Sequence, residues 1–351
     1  MLTYTRLSDY LQQAFHLSPG EKIYKLALSA GCTCPNRDGT LDTRGCIFCS
    51  AGGSGEFAQS PLCSIEEQIE AGKALLRSKA PRARYIAYFQ SFTNTYVSPK
   101  ALSPGETAAE HLRPLFTEAI QHPEVAALSI ATRPDCLDRE MLDLLEDLNQ
   151  IKPVWVELGL QTIHPRTAEY IRRGYPPEVF DEAVRNLKAR NLSVIVHLIL
   201  GLPGETIEDM AASAKYVSDL LINEKKLCSL HSLSSTDSLS AMPADGQKSA
   251  LSEPVSSTDG QTIPSADGIK LQLLHVLKDT DLAADHDAGF FRTLSMEEYF
   301  LALEACLKEI DPSLILHRVT GDGAKKDLIA PLWSADKKRV LNAWTAYCKE
   351  H

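Results

Sequence analysis

Short apolar runs alternate with amphipathic stretches along most of this 351-residue chain. The runs are rich in Val, Ile, Leu and Tyr, as buried strands are, and the stretches between them repeat apolar residues at helical spacing. The runs predict six strands, at 23–29, 84–91, 126–132, 153–160, 192–202 and 268–277. Helices are predicted between them, for example at 65–79, 138–150 and 177–191. Strands that alternate with helices predict a parallel sheet of right-handed βαβ units.

Six such units predict an α/β fold of one of two kinds. They can form an incomplete barrel, about three-quarters of the eight-stranded form, or a doubly wound open sheet, and the strand count does not separate the two. The barrel is predicted to occupy residues 21–285, after an N-terminal segment at 1–20. Residues 286–351 are predicted to form an α+β extension docked on the barrel, beginning with a Ser-capped helix at 295–310.

One segment departs from the alternating pattern. Residues 225–267 are rich in Ser, Pro, Asp and Gly and show no clear period. Such a composition buries too little apolar surface to offset the entropy lost on ordering. We therefore expect a flexible insertion between the fifth helix and the sixth strand, without a catalytic group.

The composition is that of an ordinary globular protein, with 44% hydrophobic and 23% charged residues. The net charge of −10 argues against non-specific binding along a nucleic-acid backbone. Short basic runs at 172–173, 325–326 and 337–339 can form either a local binding patch or a solvated face. The N-terminus lacks a signal-peptide pattern, and the most apolar run, 194–200, is too short to cross a bilayer. These features predict a cytoplasmic protein without a membrane partner.

Four of the nine cysteines, Cys32, Cys34, Cys46 and Cys49, lie within eighteen residues after the first predicted strand. Cytoplasmic thiols stay reduced, so a cluster of them indicates metal binding or redox chemistry. All four can hold a structural zinc ion, or three of them can hold an iron–sulfur cluster with one iron open to a ligand. The carboxyl ends of parallel strands form the ligand-binding face of such folds, and this position favours iron.

The spacing of Cys34, Cys46 and Cys49, C-x11-C-x2-C, differs from the common C-x3-C-x2-C signature of radical S-adenosylmethionine (SAM) enzymes. With "TCPNRDGT", "GCIFC" and "GSGEFA", it resembles the YhcC/YtqA-like radical SAM proteins, a group related to the elongator catalytic subunit. The resemblance implies a partial (β/α)6 barrel of the TIM type. It also implies a [4Fe-4S] cluster on these three cysteines, SAM as cofactor, and Cys32 outside the cluster. Phe48 is a candidate to cover the cofactor.

The same resemblance implies that SAM contacts the ends of the second and third strands. Gln90, Thr93 and Asn94 follow the second strand, where the family binds the amino-acid end of SAM. Arg133 follows the third strand, where it can hold a carboxylate or phosphate, or equally brace Asp135.

Further SAM contacts are implied at the fourth and fifth strands. Glu157 is expected to accept hydrogen bonds from the ribose hydroxyls, and Gln161 to lie near the methionine part. Gly201, Leu202 and Gly204 form the turn after the fifth strand, where the adenine is expected.

Three other positions carry less specific signals. His197 lies in an apolar run, where a satisfied core histidine is the favoured interpretation. Gln272 and Tyr175 stand where histidine is expected in the family, which weakens any substrate assignment from them.

The implied activity is reductive cleavage of SAM to a 5′-deoxyadenosyl radical, driven by a one-electron donor such as flavodoxin or ferredoxin. The related proteins suggest a tRNA substrate modified at the wobble uridine. Near the C-terminus, cations and an aromatic residue suit single-stranded RNA, although a packed Trp and solvated lysines explain them equally well. These residues are His317, Arg318, Lys325, Lys326 and Trp333.

Two alternatives remain open at this stage. The substrate can instead be a small molecule or a protein. Outside the enzyme class, the chain can be a non-catalytic scaffold with zinc held by all four clustered cysteines.

Overall fold

The structure is a computed structural model that describes residues 4–53, 57–77, 82–234, 265–321, 323 and 325–351, without the side chains of 225–234. Its strands are β1 (Thr5–Arg6), β2 (Lys22–Leu28), β3 (Ala83–Phe89), β4 (Val125–Thr132), β5 (Val154–Gln161), β6 (Ser193–Leu200), β7 (Gly268–Leu273), β8 (Val276–Leu277), β9 (Ile315–Arg318) and β10 (Leu328–Ala330). Its α-helices are α1 (Leu7–Ala14), α2 (Ile65–Leu76), α3 (Ala108–Gln121), α4 (Arg139–Asn149), α5 (Pro165–Tyr170), α6 (Pro177–Lys188), α7 (Ile207–Ser234), α8 (Asp281–Asp287), α9 (Met296–Glu309) and α10 (Lys337–Glu350). Short 3₁₀ turns cover Pro134–Cys136 and Leu332–Ala335.

Eight strands form one sheet in the order β1-β9-β7-β6-β5-β4-β3-β2, and every neighbouring pair is parallel. The six predicted strands are confirmed as β2 to β7, in sequence order, and the sheet is the curled half-barrel of the α/β class. β1 and β2 are the two edge strands, so the barrel stays open between them.

The C-terminal extension does more than dock on the barrel, because it supplies the next strand of the sheet. β9 pairs in parallel with β7, with Gly268 opposite Ile315, and β1 then pairs with β9. A Cβ on Gly268 would lie 2.0 Å from the carbonyl oxygen of Ile315, so the close approach of these strands requires glycine. β8 and β10 form a separate antiparallel pair.

Side chains on β5 alternate between the two faces of the sheet. Val154, Val156, Leu158 and Leu160 join the core that packs the sheet against the helices. The intervening positions point to the inside of the barrel, because successive strand residues face opposite sides. Trp155 fills one end of the interior within a second core cluster, and Glu157, Gly159 and Gln161 line a cavity beyond it.

Helix boundaries agree with the capping pattern of the sequence. Ser295 accepts a hydrogen bond from the Glu298 backbone and Glu298 returns one, so the predicted cap of α9 is confirmed as a capping box. The predicted insertion begins within α7, which continues to Ser234, and residues 235–264 lie outside the described residues. In the part of the chain that the structure describes, no helix combines the length and apolar character needed to cross a membrane.

Candidate active site

A cavity of about 240 Å³ lies at the carboxyl ends of the central strands, and we call it the active-site cavity. Nine of the predicted site residues line it: Cys34, Cys46, Phe48, Cys49, Gln90, Thr93, Arg133, Glu157 and Gln161. The sequence separates these residues by up to 127 positions, and the parallel sheet brings them to one face. Four predicted residues are outside its lining, namely Asn94, Gly201, Leu202 and Gly204.

The cysteine loop is held by its own side chains. The Arg37 guanidinium donates from Nη2 to the carbonyl oxygens of Cys49, at 2.6 Å, and Ser50, at 2.7 Å. Asn36 Nδ2 donates to the Arg172 carbonyl oxygen at 2.8 Å, which ties the loop to the segment after α5. These bonds fix the two ends of the loop relative to the barrel, so the thiols stay at the cavity wall.

Gly53 closes the loop against Phe92. Its φ of +62° is a conformation that glycine adopts without steric cost. A Cβ at this position would lie 2.4 Å from the Phe92 ring. The glycine therefore allows the cysteine loop and the loop after β3 to meet.

The thiols do not form a compact single-ion site. Thiolates around one tetrahedral zinc ion lie roughly 3.8 Å apart, given a zinc–sulfur distance of about 2.3 Å. Among the described residues, no three cysteine sulfurs lie within 4.8 Å of one another. Cys32 packs in the hydrophobic core, and burial raises the pKa of its thiol to about 12. Cys34, Cys46 and Cys49 all line the active-site cavity, so they are the thiols that could hold a multi-iron cluster.

The loop after β3 contributes Gln90, Phe92 and Thr93 to the cavity wall, and Asn94 holds the loop in place. The Thr93 amide donates to the Thr33 carbonyl oxygen at 3.1 Å and so joins the two loops. The Asn94 amide group donates to the carbonyl oxygens of Phe89, at 3.1 Å, and Ala131, at 3.0 Å, and the residue is fully buried. Asn94 therefore joins the ends of β3 and β4, and its contact with SAM stays a prediction.

Arg133 braces Asp135, one of the two roles that the sequence allows. Its Nε and Nη2 donate to the two carboxylate oxygens at 2.9 and 2.7 Å, and its Nη1 donates to the Arg173 carbonyl oxygen at 2.8 Å. The Arg133 guanidinium also lies 5.3 Å from the centre of the Tyr175 ring. Arg133 lines the cavity, but its Nε and Nη2 groups already donate hydrogen bonds to Asp135.

Gln161 has three features that are typical of a residue that contacts a ligand. Its φ is +69°, which is costly for a residue with a side chain, and the strand pairing shifts register between Gly159 and Gln161. Its Oε1 atom is buried and has no hydrogen-bond partner among the residues that the structure describes. A buried acceptor without a partner, on a strained backbone at a cavity wall, indicates a ligand contact.

Glu157 lines the active-site cavity and is held by side chains of the neighbouring strands. It is on the same face of β5 as Gln161, four residues earlier, so it lies roughly 13 Å further into the barrel. Its Oε1 accepts from Lys25, at 2.5 Å, and from Ser129, at 2.7 Å. Its Oε2 accepts from His197, at 2.7 Å, and from Lys270.

Glu157 is paired within the protein, and its predicted contact with the SAM ribose stays a prediction. Four donors fill the acceptor sites of its two oxygens, and its side chain has no exposed surface. The residues Lys25, Ser129, Glu157, His197 and Lys270 form a buried unit, which we call the floor cluster. The Lys25 and Lys270 charges lower the pKa of Glu157 despite its burial, whereas burial lowers the pKa of Lys270.

His197 lines the cavity and is also part of this cluster. Gln272 Nε2 lies 3.2 Å from its Nδ1, so Nδ1 accepts and Nε2 carries the proton donated to Glu157. Burial, reinforced by the Lys270 charge, lowers the pKa of His197 to about 4. The histidine is satisfied, as predicted for a core position, but it faces the site.

Sequence reasoning missed Lys25 and Lys270. Each is a single lysine inside an apolar strand pattern, "IYKLALS" and "GIKLQLL". A charge in a buried strand needs a partner, and that is the signal that could have identified them.

The turn after β6 packs against the cysteine loop. Leu202 is buried in a cluster with Ile171 and Ile199, against which Phe48 packs. Gly201 has a φ of +88°, and a Cβ added to it would lie 3.1 Å from the Leu294 side chain. A Cβ added to Gly204 would meet no described atom within 4 Å. Their predicted contacts with the adenine stay a prediction.

The C-terminal residues separate into two groups. His317 is buried, with Nε2 2.9 Å from the Ala266 carbonyl oxygen, and Trp333 donates to the Leu294 carbonyl oxygen at 3.0 Å. These two are packed and do not offer a stacking surface. Arg318 lines the cavity, while Lys325 and Lys326 are exposed.

Comparison with known proteins agrees with this geometry. Residues 42–217 match the Radical SAM superfamily, and residues 266–350 match the Radical_SAM C-terminal domain. The chain is 35% identical over 340 residues to the uncharacterized protein YtqA of Bacillus subtilis, covering 97% of this chain and 88% of YtqA. It is 32% identical over 333 residues to protein YhcC of Escherichia coli K12, covering 95% and 89%.

A shorter match connects the chain to a tRNA-modifying protein. Over 94 residues it is 37% identical to a tRNA uridine(34) acetyltransferase of Methanocaldococcus jannaschii, which covers 26% of this chain and 16% of that protein. The family uses a [4Fe-4S] cluster and SAM, and its members need an electron donor. With a superfamily match across the barrel and full-length similarity to YtqA and YhcC, the chain belongs to the radical SAM superfamily of enzymes.

Proposed function

We propose that this enzyme acts on tRNA and modifies its wobble uridine. Cys34, Cys46 and Cys49 would hold the cluster, because all three line one cavity at the carboxyl edge of the sheet. When bound, the cluster and SAM supply a 5′-deoxyadenosyl radical that removes a hydrogen atom from an unactivated carbon. The observation that carries the tRNA assignment is the similarity to the tRNA uridine(34) acetyltransferase.

The remaining residues orient the cofactor and the substrate. The Oε1 of Gln161 would accept a hydrogen bond from the amino group of the SAM methionine part, whose N–H groups are donors. Gln90, Thr93 and Phe48 complete the wall around it. The floor cluster is fully paired, so it gives the substrate a rigid polar surface below the cofactor.

The cavity fits a nucleoside better than a folded chain. The cavity would hold the cluster and SAM beside the reacting group, so an RNA substrate would present one splayed-out base. A small-molecule substrate meets the same condition and is the second candidate. A protein substrate would have to insert one extended side chain. The superfamily assignment and the position of Cys32 in the core argue against a scaffold with zinc on four cysteines.

We further propose that the enzyme works in the cytoplasm, with flavodoxin or ferredoxin as the electron donor. The described cysteines are all free thiols, which suits a reducing compartment. This location also supplies both the tRNA and a low-potential donor.

The test uses tRNA from cells that lack the gene for this enzyme. The anaerobically reconstituted enzyme, SAM and dithionite are added, and the nucleosides are then separated by mass spectrometry. The proposal expects a mass change confined to the wobble position, together with formation of 5′-deoxyadenosine. Deoxyadenosine that rises with a small metabolite, and not with tRNA, would instead support the second candidate.

A further inference from the structure

A second groove, which we call the seam groove, lies beside the active-site cavity on the open side of the barrel. Residues from both edge strands line it, for example Arg6 on β1 and Lys25 on β2. Arg318 of β9 lines both the groove and the cavity. Lys25 and Lys270 line the groove and contact Glu157 in the floor cluster. The groove and the cavity therefore share an inner wall.

Helix α10 forms the outer wall of the groove. Its lining residues are spaced as one helical face, and they are Lys337, Leu341, Trp344, Thr345, Cys348 and Lys349. The basic residues at the two ends of this face are twelve residues apart, so their Cα atoms lie roughly 18 Å apart along the helix. Trp344 Nε1 lies 3.2 Å from the Tyr4 hydroxyl, which anchors the helix to the N-terminal segment.

The lining of the seam groove is strongly basic. Its positively charged residues are Arg6, Lys25, Lys270, Arg318, Lys337 and Lys349. Among the described residues that line it, Asp9 is the only acid, and it lies 2.7 Å from Arg6. Asp9 pairs with Arg6, and Glu157 contacts both Lys25 and Lys270, so basic side chains outnumber acidic ones at the groove. The whole chain has a net charge of −10, so this concentration is local and favours an anionic partner.

We propose that the seam groove binds the phosphate backbone of an RNA substrate and leads its target nucleotide toward the active-site cavity. This inference rests on the proposed function. Cations distributed over roughly 18 Å can contact several phosphates of one strand, and the shared wall brings the strand next to the cavity. An acidic protein partner would also match the charge of the groove, but it would not explain why the groove shares a wall with the active-site cavity.

The experiment measures binding of a synthetic anticodon stem-loop RNA with an unmodified wobble uridine. Fluorescence anisotropy is recorded with the reconstituted holoenzyme over a salt series. The test variant is Lys337→Glu/Lys349→Glu. We expect its dissociation constant to rise about tenfold or more, and the slope of log affinity against log salt to fall by about 1.5, because two phosphate contacts are lost.

A matched control changes the charge equally on the outer helices. Arg139→Glu on α4 and Arg185→Glu on α6 alter two exposed residues away from the groove. This double variant should keep wild-type affinity and salt slope. Iron content and thermal unfolding show whether the test variant is folded. If it is not, the single variants Lys337→Gln and Lys349→Gln should each lower the slope by about 0.7 to 0.9.

Three results would overturn the inference. Equal losses in the test and control variants would mean that overall charge determines binding. Wild-type affinity in the test variant would place the RNA elsewhere and leave the proposed function intact. Failure to bind RNA, with binding of a poly-glutamate peptide that the test variant loses, would make the groove a site for an acidic protein. Because the nucleoside assay measures conversion and this assay measures affinity, the two proposals can fail separately.

Discussion

Replacement of Glu157 by glutamine tests the charge balance inside the barrel. Glu157 compensates Lys25 and Lys270, and the Lys270 side chain is only 3% exposed. Removing one partner of a buried ion pair costs about 3–5 kcal/mol, because the other charge stays buried. Burial already lowers the pKa of Lys270, so the loss of its proton should limit the cost to the low end of this range.

The expected loss can be converted into a melting temperature. Unfolding entropy of roughly 2.1 cal/mol/K per residue over 351 residues gives about 0.7 kcal/mol/K, so the melting temperature should fall by about 4–7 °C. The assay is thermal unfolding of the metal-free, reduced protein, followed by circular dichroism. Glu70→Gln is the control, because it makes the same change in an exposed pair with Lys73 and should cost less than about 1 °C.

A second variant separates charge from packing. In Glu157→Gln/Lys270→Gln only Lys25, the more exposed of the two lysines, lacks its carboxylate, so at least half of the lost stability should return. A Glu157→Gln protein that melts within about 1 °C of wild type would refute the reasoning. It would show that the two lysines do not depend on this carboxylate.

Three further predictions concern single residues. Gly53→Ala should lower the free energy of unfolding by about 1–3 kcal/mol more than Gly20→Ala, as measured by thermal unfolding. Both glycines have a positive φ, but only a Cβ at position 53 would contact the Phe92 ring. His197 has a folded pKa of about 4 against an unfolded value near 6.5, so the unfolded state binds more protons between these values. Wild-type stability in urea should therefore fall as the pH drops from about 6.5 to 4, by up to about 3 kcal/mol more than in His197→Gln. Gln161→Ala should raise the SAM dissociation constant about tenfold in equilibrium dialysis while iron content is retained.

Each of these has a contrary outcome. Equal effects of the two glycine variants would mean that the loop yields at Phe92. Parallel pH profiles of wild type and His197→Gln would mean that the imidazole takes up its proton in the folded state. Unchanged SAM affinity in Gln161→Ala would leave its buried oxygen without a ligand.

The sequence predicts the central sheet well because β2 to β7 are long, apolar and separated by periodic helices. It does not reveal β1 and β9, because they have only two and four residues. β9 forms by pairing with the edge of β7, and β1 forms by pairing with β9. Gly268 shows the difficulty, since its need for glycine comes from Ile315, distant in the chain.

Site residues can be predicted from the sequence where the chemistry depends on residue type. They are harder to predict where their role depends on how far along a strand they lie. Cys34, Cys46 and Cys49 are found because thiols cluster in the sequence for few other reasons. Glu157 and Gln161 share one face of β5, but a sequence does not state which of them lies at the cavity rim. Lys25 and Lys270 were missed for the same reason, because their importance depends on facing Glu157 from other strands.

The most direct test of the account is anaerobic reconstitution with iron and sulfide, followed by incubation with SAM and dithionite. Iron per chain and 5′-deoxyadenosine are measured for wild type and for alanine variants of Cys32, Cys34, Cys46 and Cys49. The account predicts about four irons and deoxyadenosine in wild type and in Cys32→Ala, and loss of both in each of the other three. A variant at Cys34, Cys46 or Cys49 that keeps its iron and cleaves SAM, or a Cys32→Ala protein that loses both, would contradict it.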